Sequence, residues 1–216
     1  MCNVMVYTKE SAIRVVTDCA KKYRDELEGK MLLFICMDKQ GQISVFEFAF
    51  FKRNYLHLTG LKIRKNDNMG TEERTPTAVD FYEKCLAHKL SSSDFEFAED
   101  GTTPLKLDVL PSILNKNLSA KMIGNADMLR PRLQTERLAG NVTACVGFVQ
   151  DSAGGLYVPN TVLKDDIRNN VVSCVRVVAV YRKNLSDEKY SELTYRAKNV
   201  DLANIQQSEA LKEFLI

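Results

Sequence analysis

Apolar side chains at Ile13, Val16, Ala20, Tyr23 and Leu27 recur at helical spacing across residues 8–29, with Thr8 placed to cap the start and Gly29 to close the end. The period then changes. Residues 31–37 are an apolar run of strand length, Asp38-Lys39-Gln40-Gly41 supplies turn residues, and residues 42–50 return to β-type side chains, so a hairpin is predicted. Ile43, Val45, Phe48 and Phe50 do not hold one parity, which points to a bulge or to burial on both faces. Residues 51–60 read either as a short helix stopped by Gly60 or as an extended piece with Tyr55, His57 and Thr59 on one face; the helix is favoured.

Residues 62–75 carry hardly any apolar side chain and are expected to form an exposed loop that begins basic. Thr75-Pro76 then offers an N-cap and a first-turn proline for a helix reaching about Leu90, with Val79, Tyr82, Leu86 and Leu90 as its buried stripe. Between 91 and 140 the pattern weakens. Residues 95–98 suit an edge strand, and residues 105–118 suit a helix interrupted at Pro111. β-type patterning resumes at 142–150 and 156–162 around a turn at 151–155, giving a second hairpin, and residues 171–181 are apolar enough for a central strand. Residues 208–215 suit a short terminal helix. With no repeat or linker composition, the expectation is one α+β domain over 1–216, its helices packed on a mainly antiparallel β-sheet.

Composition narrows the function classes. Thirty basic against 28 acidic residues leave a net charge of +2, so any basic site must be local. No run approaches the ~20 apolar residues of a membrane span, and the N-terminus lacks a signal-peptide layout; a cytoplasmic location and no membrane partner are expected. The six cysteines are widely spaced, without a C-x-x-C pair, and read as reduced, mostly buried thiols. His57 and His88 are the only histidines, which rules out a multi-histidine metal site by count. Walker, dinucleotide-binding, zinc-protease and nucleophile-elbow signatures are missing, so neither metal nor cofactor is expected. Asp165-Asp166 with Glu72-Glu73 makes a poor case for a metal-dependent nuclease.

The densest candidate chemistry lies at 52–65, where Lys52, Arg53, Lys62, Arg64 and Lys65 surround His57 and Thr59. Metal-independent RNA cleavage, in which the 2′-hydroxyl attacks the adjacent phosphate, needs a base, an acid, and donors for the charge developing on phosphate oxygens. His57 suits acid or base, Thr59 a phosphate donor, and Lys52, Arg53, Tyr55, Lys62 and Arg64 the substrate surface. Against this, a histidine between two leucines is as often a packed helix residue, and Gly60 can be a C-cap only. A second constellation joins Gly147-Phe148 to Asn160 and Thr161, although these two read more readily as caps for a helix over 162–167. His88 suits a structural place at a helix C-terminus, and Arg130, Arg132 and Arg137 are secondary phosphate contacts.

Phe51-Lys-x-x-Tyr-Leu-His-Leu-Thr-Gly-Leu61, then Phe81-Tyr-Glu-Lys-Cys-Leu86, Gly147-Phe148, Val158-Pro-Asn-Thr161-x-Leu163 and Asp165-Asp-Ile167 follow one another in an order that resembles the fourth phage-associated branch of the barnase, EndoU, colicin and RelE-like nucleases. The resemblance covers roughly residues 10–183 and leaves 184–216 as a C-terminal extension. It implies helices preceding and packing on an antiparallel sheet, a phage or mobile-element origin, and RNA-directed nuclease activity, with His57, Thr59 and Asn160 as catalytic motif positions and Thr161 beside the substrate. The expected activity is a metal-independent endoribonuclease acting as a toxin or phage-encoded effector, with tRNA as a candidate substrate and an antitoxin or a host defence protein as a candidate partner. The competing expectation keeps the fold without catalysis, as an RNA- or protein-binding effector or inhibitor.

Overall fold

The computed structural model describes residues 6–64, 76–127, 134–151, 155–206 and 209–215. Helix α1 (Lys9–Glu26) starts where Thr8 and Ser11 cap each other's backbone, and it buries Ala12, Val16, Cys19, Ala20 and Tyr23 along one stripe. The predicted first hairpin forms from β1 (Lys30–Met37) and β2 (Ile43–Ala49), its turn fixed by the Asp38 carboxylate accepting from the Gln40 and Gln42 amides. A 3-10 turn at Lys52–Asn54 leads into the short helix α2 (Tyr55–Thr59). β3 (Leu61–Ile63) and β4 (Phe95–Phe97) make a separate two-stranded sheet.

Helix α3 (Ala78–Leu86) is capped by Thr77, whose hydroxyl accepts from the Asp80 amide while Asp80 returns the bond. The cap predicted at Thr75 lies outside the described residues, the helix stops short of Leu90, and of the predicted stripe Val79 is exposed while Leu90 is buried beyond the helix end. His88 follows at a positive φ of 56° on the surface. Helix α4 (Thr103–Ile113) carries Pro111 in its last turn.

The remaining strands are β5 (Met122–Ala126), β6 (Arg137–Gly140), β7 (Cys145–Gln150), β8 (Tyr157–Leu163), β9 (Val171–Asn184) and β10 (Glu192–Arg196), followed by the short helices α5 (Leu202–Gln206) and α6 (Glu209–Lys212). Pairing runs β1-β2-β8-β7-β6-β5-β9 and returns from β9 to β1, with β10 added outside the ring on β9. The β2–β8 bridge, Phe48↔Tyr157, is parallel and the other ladders are antiparallel. This closed, mixed seven-stranded barrel with its helices replaces the expected layer of helices on an antiparallel sheet.

The reason is physical and lies in β9. Its 14 residues pair with β5 through Val171–Arg176 and with β1 through Arg176–Asn184, so one strand joins what would otherwise be two free edges. Register shifts at Ile35/Cys36, Gly124/Ala126 and Gly147/Phe148 add the local twist that closure requires. Gly140 permits a close approach: a Cβ there would sit 2.4 Å from the Ala144 carbonyl oxygen and 2.5 Å from the Cys145 Cα. Gly140→Ala is therefore expected to cost about 1–3 kcal/mol, read as a lower urea midpoint at unchanged m-value.

Leu32, Phe34, Phe48, Val146, Phe148 and Val180 share one core with α1–α4, and the Phe48 and Phe148 rings stack with centroids 3.9 Å apart. The alternate side chains of β1 and β9, including Leu33, Ile35, Val178 and Tyr181, pack with Tyr190, Leu202, Ile205, Leu211 and Leu215. Cys19, Cys36, Cys85 and Cys145 are buried free thiols, whereas Cys174 is exposed and Cys2 lies outside the described residues.

Candidate active site

Helix α2 has room for five residues, and four of them, Tyr55, Leu56, Leu58 and Thr59, turn inward. His57 is left facing out. Tyr55 joins the Tyr23 and Tyr82 rings in the core and donates its hydroxyl to the Val16 carbonyl, so it holds α2 against α1 and presents nothing at the surface. Thr59 is fully buried, its hydroxyl donating to the Leu56 carbonyl at 2.7 Å and accepting from the Leu61 amide at 3.1 Å. Both polar groups of that hydroxyl are spent on ending the helix.

Gly60 ends α2 in the left-handed region, φ 71°. It has a second role: a Cβ at this position would lie 2.8 Å from Cδ of Lys106, so the lysine stem crosses directly over the bare glycine. Thr103 fixes α4 in place by donating to the Gly60 carbonyl at 2.6 Å and accepting from the Ala98 amide at 2.9 Å. The result brings the Lys106 charge within electrostatic reach of His57. Desolvation first, and then this neighbouring positive charge, hold the imidazole below its ordinary pKa. Desolvation also lowers Lys106, partly countered by Asp100.

Lys106 projects into a cleft of about 280 Å³ between α4 and β8, where Asn160, Thr161, Lys164 and Gln134 complete the walls. Strand β8 does not cap a helix here, as its sequence allowed; it is a paired strand with a bulge. Gly147 pairs with Thr161 and Phe148 with Pro159, which leaves Asn160 as the extra residue. Its amide Nδ2 donates to the Gln134 carbonyl, while Oδ1 is the buried side-chain polar atom without a partner among the described residues. Gly147 makes room for Thr161: a Cβ there would lie 2.7 Å from the Thr161 methyl. Lys164 is neutralised by the largely buried Asp108 at 2.7 Å.

A family model matches residues 15–199, from within α1 through β10. The chain belongs to the phage-Barnase-EndoU-ColicinE5/D-RelE like nuclease4 family. Searches among curated proteins and solved structures match nothing. Membership in this nuclease family gives the cations of 52–65 a test, since a phosphodiester needs positive charge that is not already used. Lys52 pairs with Glu83 at 2.6 Å, Arg53 with Asp151 at 2.7 Å and Arg64 with Glu96 at 3.0 Å. Lys62 and Lys106 make no ion pair among the described residues, and both act on Asp100.

The fold thus gathers Lys106 with Asn160 and Thr161, leaves His57 within reach of the Lys106 charge, and keeps Tyr55 and Thr59 in the interior. Lys65, Glu72, Glu73, Arg130 and Arg132 lie outside the described residues. Lys106 is the residue that sequence reading passes over. Its one trace is a lone cation in the apolar stretch Leu105-Lys-Leu107, a position that only the fold sets beside His57.

Proposed function

We propose that this nuclease is an endoribonuclease that cleaves RNA by attack of the 2′-hydroxyl on the adjacent phosphate, without a metal ion. The observation that carries the reading is a histidine biased toward its neutral form beside an unpaired lysine at the rim of a polar cleft. Neutral His57 accepts the 2′-hydroxyl proton as O2′ bonds to phosphorus, the Lys106 ammonium offsets the charge that builds on the phosphate oxygens, and the P–O5′ bond breaks with the leaving 5′-oxygen taking a proton from water. Asn160 and Thr161 line the place where the ribose and phosphate would sit. The family's phage association supports a phage or mobile-element origin, and structured RNA such as tRNA fits an enzyme of small net charge that holds its cations locally. No helix among the described residues is long and apolar enough to cross a membrane.

The test is incubation of purified protein with total RNA in excess EDTA, followed by mapping of the ends. The expected products carry 2′,3′-cyclic phosphate and 5′-hydroxyl termini. Cleavage that disappears in EDTA and returns with a divalent ion would overturn the metal-free route; RNA left intact under every condition would replace it with the non-catalytic effector.

The pH dependence of cleavage is expected to be bell-shaped. A base acts when deprotonated, so the rising limb follows His57 and lies below the ordinary 6.5 of imidazole. Lys106 acts when protonated, so the falling limb lies below the ordinary 10.5 of lysine. Profiles of kcat/KM against pH read both limbs, which belong to the pair rather than to either group.

A further inference from the structure

A second polar and aromatic surface lies along β8 from the cleft. The Arg137 guanidinium sits 4.1 Å from the ring centroid of Tyr157 and 5.0 Å from that of Phe46. It has no ion pair or side-chain hydrogen bond among the described residues, although three other arginines of this protein, Arg53, Arg64 and Arg168, are each matched to a carboxylate. The three side chains are half-buried and border a hollow of about 290 Å³ that Phe214 closes on another side. An unpaired guanidinium plane supported by two rings is a surface on which a nucleobase stacks irrespective of its identity.

The position of this surface relative to the cleft is set by two chain segments. Asn160 meets Gln134 at the cleft, and Tyr157 meets Arg137 at the hollow. Each pair is three residues from the other along both segments, about 10 Å of extended chain. Thr135 pins the segment between them by donating to the Phe148 carbonyl at 2.9 Å. The spacing is that of a neighbouring nucleotide in an extended strand, not of a distant accessory site.

We propose that Arg137, Tyr157 and Phe46 form a stacking subsite for an unpaired nucleobase next to the scissile phosphate, so that the protein takes single-stranded or looped RNA. The inference rests on the RNA-cleaving reading but is tested without cleavage. The probe is a short single-stranded RNA with 2′-O-methyl sugars, which has no 2′-hydroxyl to attack, and with 2-aminopurine placed successively along it. Wild-type protein is expected to quench one position strongly. Arg137→Gln and Tyr157→Leu should lose that quenching and bind about ten- to a hundredfold more weakly, and Tyr157→Phe should keep both. The Arg137→Gln variant guards against a core effect at Tyr157, and melting curves establish that each variant folds.

Equal binding and quenching by wild type and Arg137→Gln would overturn the subsite and leave the nuclease reading standing if unmodified RNA is still cut. Binding that depends on Arg137 without cleavage of unmodified RNA would retain the subsite and remove the catalytic reading. No binding to the probe by wild type would overturn the subsite outright, as would displacement of the probe by duplex RNA as effective as by single-stranded RNA.

Discussion

His57→Gln is expected to lower kcat/KM for RNA cleavage by about 10²–10⁴-fold, the contribution of a positioned general base. Glutamine fills similar space and cannot take the 2′-hydroxyl proton. Because His57 is exposed and makes no hydrogen bond among the described residues, its loss should leave the urea midpoint within the scatter of a surface change. The rising limb of the pH profile should vanish with it. A variant that cuts at the wild-type rate with that limb intact would remove His57 from the chemistry.

Lys106→Met should cost about 10²–10³-fold in kcat, comparable to removing one oxyanion donor. Methionine preserves the apolar stem that lies over Gly60, so the contact between α2 and α4 survives while the charge does not. His57 then loses a neighbouring cation, and its pKa should rise toward the ordinary imidazole value, by direct titration of the ring in NMR. The paired loss of rate and upward shift distinguishes Lys106 from a residue that merely holds the fold. An unchanged His57 titration would mean that the two groups do not communicate.

The local elements were legible in the sequence where one strong pattern met one clear stop. Thr8 with a helical stripe specified α1, and an apolar run followed by Asp38–Gly41 specified the first hairpin. Strands β5 and β6 left little trace, because Met122–Ala126 and Arg137–Gly140 are short, contain glycine, and lack sustained alternation. Closure was illegible for a different reason. It depends on β9 reaching β1 across most of the chain, and local periodicity holds no information about which edges meet.

The site divides the same way. His57 stood out as a rare imidazole among cations, but the partners of those cations did not. Glu83, Asp151 and Glu96, far away in sequence, come back to neutralise Lys52, Arg53 and Arg64. Lys106, unremarkable in its own helix, is left with its charge available. Asn160 looked like a cap because polar residues after Val-Pro start turns, but neighbouring β7 recruited it into a ladder as the surplus residue of a bulge.

The ring through β9 also has a temporal meaning. A ribosome at about 5–20 residues per second finishes β1 on the order of ten seconds before β9 exists. Until residues 176–184 emerge, β1 has only β2 beside it, and the barrel stands open with its aromatic interior wet. His57, Lys106 and Asn160, on α2, α4 and β8, have all been synthesised by then, but the frame that holds them in register has not. The segments that carry His57, Lys106 and Asn160 therefore reach their final arrangement only once β9 has paired with β1, however early each was made.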